Sequence, residues 1–553
     1  MKAYLLYRDR DVDVAGELPP NASDLLADLE LTTLLGAMAA GDGFLREISG
    51  KVLLNSLTDT EAIRYRQGIL ADCIAEADVI REMYGIAVGA LEDRRRVWGI
   101  LSSQNPSSIL SAAVGQLEVL IVRLRQLRRV ADEHGGKFRS AGLRAFFRTA
   151  ARELDDDYLD TLAGHLTQLR FTGGELMSAQ LARDNRGVDY VLRSGDARRS
   201  WRERIGIASR SVHSFAISPR DEAGAQALSD IVSRGINLVA NAAAQSADHI
   251  SSYFTMLRAE LGFYVSCLNL RDQLAAAGQP VTFPEPAPPA ACALTCTDLR
   301  DAGLALRTGH VVGNDVDADG TPLVIITGAN SGGKSTFLRS LGVAQLMMQC
   351  GMFVAAGHYR ASVCEGIFTH FIREEDPEMV SGRLDEELAR MSAIADQIGP
   401  RCLMLFNESF AATNEREGSE IGRQVVTALL EVGIRVVFVT HHFDLADSFR
   451  RQNAHPALFL RAPRQPDGRR DFKLTVADPL PTSFGADIYY RIGGWLGERD
   501  SDQAKTVGAT NSRADSAADG PPRAAGGRLQ QCEHLVDCRA QRPSHDFPGS
   551  GLA

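Results

Sequence analysis

Leu323-Val-Ile-Ile-Thr-Gly328-Ala-Asn-Ser-Gly-Gly-Lys334-Ser-Thr336-Phe-Leu338 sets an apolar run, a glycine-rich turn and the start of a helical pattern in direct succession. Gly328 to Ser335 satisfies G-x-x-x-x-G-K-S/T, and the strand before it and helix after it supply the context that separates this motif from an accidental glycine-rich turn. In such a turn backbone N–H groups wrap an anion and the following helix presents its positive end. Gly328, Ala329, Asn330, Ser331, Gly332, Gly333, Lys334, Ser335 and Thr336 are therefore the expected phosphate-binding residues. Lys334 is expected to reach the β- and γ-phosphates of ATP and Ser335 to offer its hydroxyl to Mg²⁺.

Downstream, strand-like runs (Cys402 to Phe406, Arg435 to Thr440) alternate with helical ones (Lys334 to Cys350, Asp385 to Ile398, Glu417 to Val432). That is the βα order of a sheet covered by helices. Cys402-Leu-Met-Leu-Phe406 ends in Asn407-Glu408, where an acid at the carboxyl end of a strand would face the nucleotide. Glu408 is the expected general base toward water. Asn407 stands where a metal-holding Asp is usual; its amide oxygen still accepts hydrogen bonds but brings no negative charge, so a weaker hold on Mg²⁺ or slower turnover is expected. The plainer reading is a solvated Asn-Glu pair after a buried strand.

Thr327 to Arg339, Ser381-Gly382-Arg383, Asn407-Glu-Ser409, Thr413-Asn-Glu-Arg-Glu-Gly418 and Thr440-His441-His442 together resemble, in order and spacing, the ATPase domain of the MutS mismatch-repair family. The resemblance implies an α/β P-loop ATPase domain of the ABC/MutS type and a composite ATP site shared by two subunits of a homodimer. Ser381 and Gly382 would then approach the γ-phosphate held by the other subunit, although alone Ser381 reads as a helix N-cap. His441 would sense the γ-phosphate or its water, and Thr413 to Gly418 would cross the dimer seam; outside the family these are a loop histidine and a solvated turn. Two departures stand out. Mismatch-reading relatives carry a Phe-x-Glu element in a domain before the helical core, whereas this sequence starts almost at once with helical scaffold and has Phe-x-Glu only at Phe283-Pro-Glu285 and Phe406-Asn-Glu408. Where relatives often place an aromatic residue against adenine, this sequence reads Val311-Val-Gly-Asn314. No nuclease-like domain is recognisable.

The part before the ATPase reads as an all-α core and lever region with a small β-containing insert. Residues 1–168 repeat apolar residues at helical spacing, as at Leu25, Leu29, Leu31, Leu34 and Leu35. Residues 169–219 bring short strands and turns, a clamp-like insert; 220–278 form a lever of one or two helices spanning ~80 Å if continuous; 279–300 begin with a proline-rich stretch expected to be a linker. The ATPase domain occupies 301–497, and 498–553, without periodicity, is expected to be disordered.

Composition bounds the rest. A chain of 553 residues with 44% hydrophobic and 24% charged content is that of a globular protein of more than one domain. No run of 18 apolar residues marks a membrane span, so a cytoplasmic location is expected. Of nine cysteines, Cys267, Cys350 and Cys402 sit in apolar runs and read as reduced and buried; Cys292 with Cys296, and Cys532, His534 and Cys538, lack the paired spacing of a zinc site. A net charge of −10 argues against a general nucleic-acid coat. Local basic stripes remain at Arg94 to Arg96, at Arg123, Arg125, Arg128 and Arg129, and at Arg193, Arg198, Arg199, Arg202 and Arg204 around Trp201. Two functions compete: an ATP-dependent dimeric switch that grips DNA in repair or recombination without reading mismatches, and an ATP-gated scaffold for a protein partner with slow hydrolysis. A transporter ATPase fits poorly, because the long helical half is fused ahead of the motif.

Overall fold

A computed structural model describes residues 2–98, 105–172, 174–184, 186–193, 214–373, 382–465 and 468–482. The amino-terminal half is helical: α1 (Ala22–Asp28), α2 (Leu31–Ala39), α3 (Gly43–Leu54), α4 (Thr60–Ala75), α5 (Ala77–Trp98), α6 (Pro106–His134), α7 (Ala141–Glu153) and α8 (Asp156–Leu169). Starts are set locally. Asp42, Asp59, Asn105 and Ser140 accept from backbone N–H groups of the first turns of α3, α4, α6 and α7, and Pro106 stands where a missing N–H costs nothing. The lever stretch is one helix, α9 (Glu222–Ala276), of 55 residues. Its first half is largely exposed and carries the hairpin β1 (Leu176–Leu181) and β2 (Gly187–Arg193); its second half, Tyr253 to Leu274, is buried against α2, α3, α5 and α6. Within the insert the hairpin is what is described. Arg193 donates to Ser178 there, while Arg198, Arg199, Arg202 and Arg204 lie outside the described residues, as does the 498–553 tail.

Two sheets follow. One has the order β3 (Glu285–Ala287), β7 (His358–Ser362), β4 (Leu294–Leu299), β5 (Asn314–Asp317). The other is β12 (Thr475–Val476), β11 (Ala457–Ala462), β6 (Leu323–Gly328), β10 (Arg435–Val439), β9 (Leu403–Asn407), β8 (Ile367–Phe371), parallel except for β12. The helices between are α10 (Ala302–Thr308), α11 (Lys334–Gln349), α12 (Arg383–Ala395), α13 (Glu415–Glu431) and α14 (Phe443–Gln452). Alternate residues of each central strand enter opposite cores. Val324, Ile326, Leu403, Leu405, Val437 and Val439 join the core shared with the helical half, and Leu323, Ile325, Met404, Phe406, Val436 and Phe438 pack with α12, α13 and α14.

The 279–300 stretch departs from the linker expectation, for it supplies β3 and β4. Pro286 sits on the edge strand β3, where a missing N–H breaks no inner ladder, and β4 lies between β7 and β5. The prolines exclude a central strand only where they stand; Leu294-Thr-Cys-Thr-Asp-Leu299 beyond them alternates buried and exposed sides.

The helical half and the sheets share one core. Helix α11 is buried on nearly every face: a Cβ at Gly342 would meet Leu29 of the helical half at 2.7 Å and Leu405 of the central sheet at 2.8 Å. Arg339 of α11 bonds to Asp301 at 2.6 Å and to Glu30, and Gln349 exchanges bonds with the backbone of Leu57. By length and composition α6 is apolar enough to cross a membrane; here its apolar residues pack with α8 and α9 through Leu110, Leu117, Ile121, Leu166 and Ala243. Most of the arginine stripe along α5 and α6 is paired within the fold: Arg94 with Asp248, Arg123 with Asp93, Arg125 with Asp160 and Arg128 with Asp132. Cys267, Cys350 and Cys402 are free, buried thiols.

The segment before α1 is pinned to α9. Glu260 is fully buried and accepts from Leu5 N at 2.5 Å and Val12 N at 3.3 Å, while Tyr264 donates to the Leu5 carbonyl at 2.5 Å. Burial pushes Glu260 up to about 7 against the pull of those N–H donors. A carboxyl raised on folding loses stabilising influence as pH climbs from its unfolded value through about 7, here on the order of 3 kcal/mol. Glu260→Gln, which cannot ionise, is expected to be less stable than the native chain at pH 5 and to close that gap by pH 8. Urea midpoints at the two pH values measure this, and an equal gap at both would refute it.

Candidate functional site

The turn after β6 is held open by backbone geometry that few residues tolerate. Gly328 has φ +105°, and a Cβ there would lie 2.5 Å from the Ala462 carbonyl of the neighbouring strand β11. Ala329 N donates to that same carbonyl at 3.1 Å. Ser331 takes φ +56° and Gly333 φ +91°, after which α11 begins at Lys334. The Lys334 side chain is buried. Its Nζ donates to the carbonyls of Gly328 and Ala329, both at 3.1 Å. Burial draws its pKa down, with Glu408 opposing and Arg470 assisting.

Strands β6 and β9 end side by side of β10, and their termini meet. The Ser335 hydroxyl donates to Asn407 Oδ1 at 2.9 Å. Glu408 follows at φ +56°, with its N–H donated to Val439 of β10 at 2.8 Å. An open cavity of about 460 Å³ is lined by Asn330 to Thr336 together with Glu408 and His441. Backbone N–H groups at a helix start, a buried ammonium, a hydroxyl and one carboxylate form a donor set suited to a polyphosphate with its cation.

A second cavity of about 370 Å³ adjoins the first, sharing Ser331, Gly333 and Thr336, with His310, Val311 and Phe472 among its walls. Phe472 lies on the segment between β11 and β12. Asn314 clamps that segment, donating to the Phe472 carbonyl at 3.2 Å and accepting from Leu474 N at 2.7 Å. Arg470 on the same segment donates to the Asn330 carbonyl at 3.3 Å. Sequence reasoning looked for an aromatic wall at 311–314 and missed both Phe472 and Arg470, because no motif marks them; the clamp by Asn314, with the Lys473–Asp315 pair and the Arg470–Asn330 bond, brings this distant stretch against the loop.

His441 is exposed and lines the first cavity, whereas His442 is buried beside Gly418, its pKa lowered by burial. Gly382 is the N-cap residue of α12 and does not line the cavity of its own chain; Ser381 lies outside the described residues. Thr413 to Gly418 runs into α13. Asn414 caps that helix through Glu417 N at 3.0 Å, and Thr413 donates to the Glu417 carboxylate at 2.6 Å.

Family models agree with this division of the chain: one described as MutS2 N-terminal domain matches residues 58–277, and one described as MutS domain V matches residues 324–487. The DNA mismatch repair protein MutS of Chloroflexus aurantiacus is 34% identical over 139 residues, 24% of this chain and 14% of its own. The endonuclease MutS2 of Lacticaseibacillus casei is 35% identical over 150 residues, 27% of this chain and 19% of its own. The MutS protein homolog 4 of Mus musculus is 31% identical over 135 residues, 24% of this chain and 14% of its own. Each match thus spans under a fifth of the relative's length, but the two family models lie in chain order over the helical half and over the loop, strands and cavity just described. The chain belongs to the MutS family.

Proposed function

We propose that this chain is a cytoplasmic, ATP-dependent dimeric switch that binds DNA in repair or recombination and hydrolyses ATP to ADP and phosphate through a P-loop ATPase fold. The observation that carries the reading is the convergence of the 328–336 loop, buried Lys334, the Ser335–Asn407 pair, Glu408 and His441 on one cavity.

Loop N–H groups and Lys334 hold the β- and γ-phosphates, and Ser335 offers its oxygen to the cation. Mg²⁺, held beside Ser335 and Asn407, would supply positive charge against the phosphates. Glu408 orients the attacking water and takes its proton; His441, on the adjacent loop, faces the terminal phosphate. Asn407 accepts the Ser335 hydroxyl hydrogen bond as a neutral group, which leaves the metal region one negative charge short of an Asp-Glu pair. Val311 and Phe472 flank the base. Ser381 and Gly382, at the start of α12, complete the site of the second subunit.

The reading as an ATP-gated protein scaffold has specific support in the paired arginines of α5 and α6. A DNA phosphate at Arg94, Arg123, Arg125 or Arg128 must displace a carboxylate already in place. On the first reading DNA therefore engages elsewhere, with the insert around Arg193 as the candidate.

Glu408→Ala is expected to lower turnover by about a hundredfold or more while ATP still binds. Native turnover is expected to respond to one of linear, mismatched or branched DNA, and to lose that response between 50 and 200 mM salt, as phosphate contacts require at about these concentrations. Steady-state hydrolysis with each DNA at both salts decides this; ATP binding with no DNA effect transfers the function to the scaffold reading.

Asn407→Asp restores the missing charge and is expected to hydrolyse ATP faster with Mg²⁺. Unchanged turnover across a Mg²⁺ titration would show that this charge does not limit the reaction. Phe472→Ala is expected to weaken ATP about tenfold, the loss of one aromatic–base stack, while leaving inorganic triphosphate binding unchanged. Equal losses for both ligands would remove Phe472 from the base wall.

A further inference from the structure

Glu408 stands on a backbone that needs holding. It takes φ +56° and Phe410, two residues on, φ +63°, left-handed conformations that cost non-glycine residues of order 1–3 kcal/mol each. Ser409 between them is buried, and its hydroxyl meets two groups of one residue of β8, the His370 ring at Nδ1 (2.7 Å) and the His370 carbonyl (2.6 Å). The His370 ring is fully buried, stacks on Phe410 with centroids 5.5 Å apart, and places Nε2 3.0 Å from the Glu387 carbonyl in α12. Glu387 closes the circuit: its Oε2 accepts from Phe410 N at 2.5 Å, while Oε1 is buried without a hydrogen-bond partner among the described residues. A ring of bonds thus runs from β8 to the Ser409–Phe410 turn, on to α12, and back to β8.

The partners limit the protons. A carbonyl only accepts, so the single hydrogen of the Ser409 hydroxyl goes to the His370 carbonyl. A neutral ring has one N–H, given either from Nδ1 to Ser409 or from Nε2 to the Glu387 carbonyl. Burial, with Arg390 and Arg373 nearby, lowers His370 to about 4, so the ring is neutral at physiological pH. Arg390 on α12 also donates to the Phe371 carbonyl at 2.9 Å, which keeps α12 against β8 on the same side.

We propose that His370 and Glu387 are positioning residues for Glu408: they hold the Ser409–Phe410 turn that aims its carboxylate into the cavity, and they tie that turn to α12. The proposal rests on the ATPase reading for its catalytic consequence. Neither side chain lines the cavity. A displacement of α12, whose start is where a second subunit's phosphate would act, moves Glu387 and with it the Phe410 amide.

The test uses Ser409→Ala, His370→Gln and the pair Glu387→Ala and Glu387→Gln in the full chain. His370→Gln preserves a donor toward the Glu387 carbonyl but loses the Ser409 contact, and Glu387→Gln preserves an acceptor for Phe410 N. Ser409→Ala, His370→Gln and Glu387→Ala are expected to lower kcat about ten- to a hundredfold with KM and ATP affinity unchanged, and Glu387→Gln to restore most of the loss. Placed in Glu408→Ala, none is expected to lower the residual rate further. Parallel loss of ATP affinity, additive loss in the Glu408→Ala background, or unchanged kcat each overturns the proposal.

Hydrogen exchange on the nucleotide-free chain separates this outcome from failure of the ATPase reading. Glu387→Ala is expected to speed exchange in a peptide covering 407–413 and to leave 328–336 as it was; unchanged exchange at 407–413 overturns the positional claim whatever the hydrolysis result.

Discussion

The burial of α11 is the constraint on which the other features depend. A helix that begins at a phosphate-type loop usually shows the sheet one face and solvent the other. This one has Phe337, Leu338, Leu341, Val343, Leu346 and Met348 all buried, the small sheet and helical half covering what the central sheet does not. A helix apolar all round has to lie inside a core. Its first residue, Lys334, is consequently fixed by packing that reaches from Leu29 to Leu405, and the charged groups at its border, Arg339 with Asp301 and Glu30, are satisfied by both halves of the chain. The helical half is thus part of the structure that holds the loop.

Around this fixed helix the site gathers the carboxyl ends of parallel strands, where βα connections leave a crevice. Four of its residues take positive φ, Gly328, Ser331, Gly333 and Glu408, and neighbouring elements hold two of them closely: Gly328 by the approach of Ala462, Glu408 through Val439 and the buried turn after it. Strain of this kind persists only where surrounding structure over-determines it. Buried His370 and Glu387 have the character required, since each bonds to more than one segment and neither is free to take water instead.

The sequence made the central sheet legible because its strands are short apolar runs bounded by turn residues, and the loop legible because its glycines and lysine stand at fixed offsets. Glu408 and His441 line the same cavity as the loop, as strand ends so ordered would place them. Less legible were the features made by contact between distant segments. Phe472 enters the second cavity because Asn314 clamps its backbone and Arg470 and Lys473 tie the same segment to Asn330 and Asp315, and nothing in Asp471-Phe-Lys473 signals a cavity wall. Residues 279–300 were obscured for a different reason: prolines at an edge strand look like a linker when the strand they border is not yet known. The arginines of α5 and α6 read as a stripe; Arg128 has its partner Asp132 four residues on, but the partners of Arg94 and Arg125 lie on other helices, at Asp248 and Asp160, beyond the reach of spacing rules.

That pairing also bears on how α9 is held. Arg94 with Asp248 and Arg81 with Asp272 bind α5 along α9, and the apolar contacts of Tyr253 to Leu274 fix its carboxyl-terminal half in the core that contains α11. The amino-terminal half has few such contacts and carries the hairpin, with Met177 packed close on Gly235. A long helix held at one end magnifies rotation: over ~50 Å, about 33 residues at 1.5 Å each, one degree at the base moves the far end by ~1 Å. About two or three degrees at the buried half would correspond to a shift at the hairpin comparable to a hydrogen-bond length.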